Sequence, residues 1–212
     1  KIEKKYNINC IGLGCDITNL NQVNETVKKI ESSFGAIDIL VNNAATKSSN
    51  IKEFFNSLED YKLSTWNEVL DVNINGMLLF AQAVGKFMVE REKGSIIQVS
   101  SIYSVDIGPD QSIYEGSDYL GGPINTPLIY SSSKAGVVGL TKYLASYWGD
   151  KNIRVNSISP GGVKSGQNDI FIKKYSERVP MKRMADADEI VGALLFLASD
   201  ASSYITGQNI YV

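Results

Sequence analysis

Histidine is absent from this 212-residue chain. That alone excludes a serine–histidine hydrolytic triad and a histidine-ligated metal. Cysteine is nearly absent: Cys10 and Cys15 are the only two, with no Cys-x-x-Cys pair, so no zinc pattern and no disulfide framework is present. We read both as reduced, buried thiols of a cytoplasmic protein. No apolar run is long enough to span a membrane, and Lys1 does not open a recognisable signal peptide. Excess charge is missing as well. Twenty-one basic residues against 23 acidic ones leave a net charge of −2, which gives no general pull toward nucleic acid or an anionic membrane. Internal repeats, low-complexity tracts and linkers are also lacking.

What the chain does have is ordinary for a globular protein: 43% hydrophobic and 21% charged residues. Its length suits one domain over 1–212 with a sizeable core. "INCIGLG" reads as a buried strand, Ile8 to Leu13. Leu20, Val23, Val27, Ile30 and Phe34 then form one apolar helical stripe, with Thr18 or Asn19 as its cap and Gly35 as its stop. "IDILVNNA", "GSIIQVSS" and "IRVNSIS" are continuous apolar strands, as expected where both faces of a sheet are covered. Helices are predicted from about Thr65 to Glu90, from Tyr130 to Gly149, over 168–178 and in "DADEIVGALLFLASD", with "GQNIYV" as a last strand. The pattern is β-α-β-α-β-α-β-α-α-β. It predicts an α/β fold, a parallel sheet with right-handed crossovers and helices on both faces. Ligands of such sheets bind beyond the strands' carboxyl ends. Asp16, Asn43 to Ala45, Ser100, Ser101 and Pro160 to Val163 are therefore expected to line one crevice.

One helix adds chemistry to that crevice. In "PLIYSSSKAGVVGLTKYLASYW", Tyr130 and Lys134 stand four apart and so share a face. A phenol has a reference pKa near 10, and a nearby ammonium favours the phenolate. The expectation is a Tyr130 whose pKa is lowered by Lys134, able to exchange a proton with an alcohol or ketone.

"NNAA" after a strand, "DVNING" in a helix, "IIQVSS" at a strand end, "YSSSK" and "RVNSISPGG" occur in that order. Across nearly all 212 residues the chain resembles the classical short-chain dehydrogenases/reductases. The resemblance implies a Rossmann-like, doubly wound parallel sheet and an oxidoreductase using NAD or NADP. It makes Tyr130 the proton-transferring group, Lys134 its modulator and a donor to the nicotinamide ribose, Ser101 the holder of the substrate oxygen, and Asn73 the anchor of a proton-relay water. Ser100 competes with Ser101 for its role. Toward the cofactor the resemblance brings Asp16 and Ile17 to the adenine, Asn43, Ala44 and Ala45 to close backbone approach, and Pro160, Gly161 and Gly162 to a turn by the nicotinamide. Val163 would offer its amide to the carboxamide, with Ser165 as the nearest hydroxyl. Asp16 has the alternative of capping the next helix. Ala45 departs from the family's usual glycine.

Two further departures stand out. The family's opening strand and glycine-rich phosphate loop have no counterpart, since "GLG" at 12–14 is too short; N-terminal strands are expected to be missing and the chain truncated there. The sequence also ends at Val212, before the family's glycine pair. The choice between NAD and NADP is not written in what remains. Ser101 and Tyr130 lie 29 positions apart, about twice the family's usual spacing. The extra run "VDIGPDQSIYEGSDYLGGPINTP" holds Tyr114, Glu115, Asp118, Tyr119 and Asn125. It is polar, which favours a sugar or sugar nucleotide over a steroid or long acyl chain, and the stretch from "SSIYSVDIGPDQSIYEG" through "SPGGV" resembles enzymes of bacterial surface-polysaccharide synthesis. An acyl-thioester ketoreductase and a catalytically silent nucleotide- or partner-binding relative remain the alternatives. A homodimer or homotetramer is expected through the two long helices, with Met77, Phe80, Val84, Tyr143 and Tyr147 as the contact surface.

Overall fold

The computed structural model describes residues 2–117, 119–121 and 124–212. Asp118 of the extra run therefore lies outside the described residues. Four strands, β1 (Ile39–Asn42), β2 (Gly94–Val99), β3 (Ile153–Ser159) and β4 (Asn209–Tyr211), form one parallel sheet in the order β1-β2-β3-β4. β2 is central and apolar, and Ile96 and Ile97 are fully buried on its two opposite faces. Each such side chain removed from water stabilises the fold by about 1.5–3 kcal/mol.

The helices are α1 (Ile2–Tyr6), α2 (Leu20–Phe34), α3 (Ile51–Phe54), α4 (Leu63–Leu70), α5 (Met77–Arg91), α6 (Leu128–Trp148), α7 (Asp169–Arg178) and α8 (Asp188–Ala198). Asn19 caps α2 by accepting from the amides of Asn21 and Gln22, and Gly35 ends it at φ 79°, a backbone angle that favours glycine. On one face of the sheet, Ile96, Ile153 and Val155 meet Ala81, Val84 and Met88 of α5 and Leu144, Ala145 and Trp148 of α6. On the other face, Ile97 and Ile158 meet Leu197, Ile190 and Leu194 of α8.

Four expectations change here. Ile8–Leu13 is not a strand. A ladder needs a neighbour to take its backbone groups, none pairs with this segment among the described residues, and Ile8 and Ile11 are exposed. Cys10 and Cys15, beside it, are free but only half-buried. The crossovers do not share one hand: strand order keeps advancing from β2 to β4, yet α6 covers one face and α8 the other. The β3–α8–β4 connection is thus opposite in hand to β2–α6–β3, against the strong general preference for right-handed units. Finally, Leu63–Arg91 is one continuous helical run of 29 residues, long and apolar enough by length and composition to cross a membrane. Its apolarity serves the core instead, since Val69, Met77, Ala81, Val84 and Met88 are all buried. Met77 and Val84 therefore offer no contact surface, whereas Tyr143 and Tyr147 are well exposed and stack at 5.9 Å.

Candidate active site

The run from α4 to α5 widens into a π turn at Asp71–Gly76, and Asn73 sits in it. Its side chain is 1% exposed. Asn73 Oδ1 accepts from the Thr46 amide at 2.9 Å, and its Nδ2 donates to Ser133 Oγ at 3.1 Å. One asparagine thus ties the loop after β1 to the first turns of α6. Ser133 passes the tie on by donating to the Tyr130 carbonyl at 2.9 Å.

β2 and α6 are stitched together in both directions. Ser100 Oγ donates to the Lys134 carbonyl at 2.8 Å, and Lys134 Nζ donates to the Val99 carbonyl at 2.8 Å. Ser100 is thereby engaged in holding the strand end to the helix. Ser101, next along, accepts from the Tyr103 amide at 3.2 Å and lines the cleft together with Tyr130. That cleft, about 480 Å³, lies beyond the strand ends and gathers Asn73, Ser101, Tyr130 and Lys134.

The electrostatics differ from the sequence expectation. Burial pushes the Tyr130 phenol up, and the Ser101 hydroxyl acts the other way with smaller effect. Burial brings the Lys134 ammonium down to about 8. The lysine does not lower the tyrosine here: its Nζ is turned to the Val99 carbonyl, 6.0 Å from the centre of the phenol ring. Desolvation of both groups outweighs their attraction. A protonated Tyr130 at neutral pH is suited to giving a proton to a developing alkoxide.

The turn after β3 completes the far wall. Gly161 N–H donates to the Val212 carbonyl, and Gly162 lies flat against Tyr175, where a Cβ would sit 2.4 Å from the ring. Ala185 donates to Gly162 O and Lys164 donates to Ala185 O. Between those bonds the Val163 amide has no hydrogen-bond partner among the described residues, beside a cleft it helps to line. A free amide next to a flat glycine turn fits the carboxamide end of a nicotinamide. Asn43, Ala45, Pro160, Gly161 and Ser165 border the same cleft. Ser165 is held by Gln167, whose Oε1 accepts its amide at 2.7 Å.

Three expected residues are not brought into the cleft. Asp16 is exposed, and its carboxylate accepts from the amide and hydroxyl of Thr18, which holds it below the usual carboxylate range in the turn before α2. Ile17 packs onto Gly76, and Ala44 is exposed outside the lining. Gly12 and Gly14 lie in exposed irregular chain with no helix starting on them, so they form no phosphate cradle.

The substrate side was not legible from motifs. Phe54 and Phe55, within a stretch read as a polar loop, are buried and line the cleft with Tyr114, Phe171 and Met184. Their one available signal was the adjacent aromatic pair in "KEFFN". The extra run folds onto α7. Arg178 pairs with Asp110 and donates to Ser112 Oγ, Lys174 donates to the Ser112 carbonyl at 3.0 Å and pairs with Glu115 at 3.5 Å, and Asn168 donates to Ser117 Oγ at 2.7 Å. Beneath them Ile113 packs with Tyr175 and Met184. Asn125 donates its amide to the Phe55 carbonyl.

Comparison with known proteins identifies the family. The family model described as Enoyl-(Acyl carrier protein) reductase matches residues 1–212. The chain belongs to the short-chain dehydrogenase/reductase family. It is an NAD(P)-dependent oxidoreductase of that family. The chain is 34% identical over 199 residues to the 3-oxoacyl-[acyl-carrier-protein] reductase FabG of Thermotoga maritima, covering 92% of this chain and 72% of that protein. It is 33% identical over 209 residues to D-threitol dehydrogenase of Mycolicibacterium smegmatis, covering 95% and 71%. A short-chain dehydrogenase from Leptospira borgpetersenii, solved with bound NAD+, superposes with a TM-score of 0.82 at 37% identity, over 94% of this chain and 72% of that one.

Proposed function

We propose that the protein interconverts a secondary alcohol and a ketone on a hydroxyl-rich, carbohydrate-like substrate. The observation that carries this reading is the wall built by the extra run and α7. It sets aromatic faces, Tyr114 and Phe171, beside polar groups, Thr126 and Gln167, around one cleft. Sugars and polyols present the matching mixture of C–H faces and hydroxyl edges. The D-threitol dehydrogenase among its relatives points the same way.

In this reading Ser101 and Tyr130 bind the reacting oxygen between them. Tyr130 gives it a proton as a ketone is reduced and takes one as an alcohol is oxidised. The nicotinamide, when bound, supplies or accepts the hydride. Lys134 is the cation next to the phenol, and Asn73 fixes the distance between the β1 loop and α6. Val163, with Pro160 and Gly161, holds the carboxamide end. A cytoplasmic location and a homo-oligomer contacting through the exposed Tyr143–Tyr147 pair belong to the same proposal.

A second reading, reduction of a 3-oxoacyl thioester, is favoured by the likeness to a 3-oxoacyl reductase and by the apolar Phe54, Phe55 and Met184 in the lining. Nicotinamide-linked turnover of xylitol and D-threitol against that of an acetoacetyl thioester separates the two. The proposal expects the larger kcat/KM on a polyol; a larger value on the thioester overturns it.

A further inference from the structure

Beside the catalytic cleft lies a smaller hollow of about 190 Å³. Phe55, Tyr114 and Phe171 border both spaces, so one ligand can occupy the two together. Four residues belong to the hollow alone: Ser117, Tyr119, Gly166 and Asn168. We infer that this hollow is a second substrate subsite. It takes the non-reacting part of a two-part substrate, a ring with a flat apolar face and a hydrogen-bonding edge. The inference rests on the carbohydrate reading of the same site.

The lining is built for such a ring. Phe55 meets Tyr114 and Tyr119 edge-on, at 5.9 and 5.8 Å between ring centres, and Tyr114 lies 5.2 Å from Phe171. Aromatic faces take sugar C–H groups and nucleobases alike. Ser117 and Asn168 add polar groups to the lining, joined by their own 2.7 Å hydrogen bond. The walls are also fixed in advance, because Arg178, Lys174 and Asn168 fasten the extra run to α7. A site held in shape before binding loses less freedom when the ligand arrives. A one-unit polyol reacting at Tyr130 would leave Ser117, Tyr119 and Asn168 unused.

Two sources share the chemistry, a second sugar unit and a nucleobase carried on the reacting sugar. The experiment measures kcat/KM of the cofactor-loaded enzyme with four probes: xylitol and D-threitol as single units, lactitol as a ring on a polyol, and UDP-glucose as a base on a sugar. At least one two-part probe is expected to exceed both single units by about tenfold or more, and which one it is names the source. Tyr119→Ala should raise KM for that probe about ten- to hundredfold, the usual cost of losing one stacking partner, with the single-unit values within about twofold. Tyr119→Phe should keep the advantage. Tyr119 is partly exposed, so its removal spares the core. Equal turnover of one-part and two-part probes overturns the inference, as does a Tyr119→Ala effect that falls on both classes alike. If no carbohydrate probe turns over, with or without reduction of an acetoacetyl thioester, the carbohydrate reading has failed and the subsite falls with it.

Discussion

The reacting end of the cleft and its substrate end are held together by different physics. At the reacting end Asn73, Ser101 and Lys134 are at most 4% exposed, and their partners are main-chain groups of β2 and the loops after β1 and β2, with the Ser133 hydroxyl of α6. Such bonds lie away from water, and an unmade one costs about 1–3 kcal/mol. At the substrate end the fastening is by Arg178, Asp110, Lys174 and Glu115, side chains in contact with solvent. Exposed pairs of this kind contribute about 0–1 kcal/mol each. The reacting end is thus anchored in the parallel sheet, while the wall proposed to meet the substrate adds exposed ion pairs to the buried packing of Ile113 on Tyr175 and Met184.

The sharpest break in that comparison is Tyr130→Phe. The phenol oxygen is removed while the ring remains, so kcat should fall about 10²–10⁴-fold, the usual span for a lost general acid. Cofactor affinity, read by fluorescence titration, should change only a few-fold. A variant that keeps more than about a tenth of wild-type kcat would remove Tyr130 from the proton transfer.

Gly162→Ala should come next. Its Cβ would lie 2.4 Å from the Tyr175 ring, which also packs against Ile113 of the extra run. Overpacking here should cost about 1–3 kcal/mol in urea unfolding, and the double variant with Tyr175→Leu should recover part of it. An unchanged midpoint would mean that the wall is looser than described.

Lys134 gives a pH test. Burial lowers its pKa from 10.5 to about 8. Between those values the unfolded chain binds more protons at this site than the folded one, so folding stability gains from rising pH. Lys134→Met lacks that gain. The stability of wild type relative to the variant should therefore grow from about pH 8 to pH 10, by at most about 1.4 kcal/mol per pH unit. A difference that stays flat across this window would mean that the lysine is solvated.

The smallest effect is expected from Arg178→Ala. Its pair with Asp110 is partly exposed, so stability should fall by no more than about 1 kcal/mol, with the loss fading at high salt. The measurable change should be a higher KM with kcat retained.

The sequence made the reacting end legible because that end is local. Tyr130, Lys134 and Ser133 share the first turns of one helix, and Ser101 and Gly161 each stand two residues past a strand end, so order along the chain already places them. What failed needed knowledge of neighbours. Ile8–Leu13 has the composition of a strand, yet a strand exists only with a partner to pair with. Met77 and Val84 read as outward-facing because periodicity does not say which face of a helix meets the sheet. The four-residue spacing predicts a Tyr130 lowered by Lys134, but burial, invisible in the sequence, moves each toward its neutral form. The grip of α7 on the extra run joins residues more than 50 positions apart, Asn168 with Ser117 and Arg178 with Asp110, and no motif spans such a gap.

The division between the two ends is tested most directly by one paired kinetic comparison. Tyr130→Phe and Phe171→Ala are assayed on the best carbohydrate substrate under the same conditions, with kcat and KM resolved separately. The account predicts that Tyr130→Phe lowers kcat with KM nearly unchanged, and that Phe171→Ala raises KM with kcat nearly unchanged. Equal proportional losses in both parameters for both variants would contradict it, because the cleft would then be one cooperative unit and not two separately built ends.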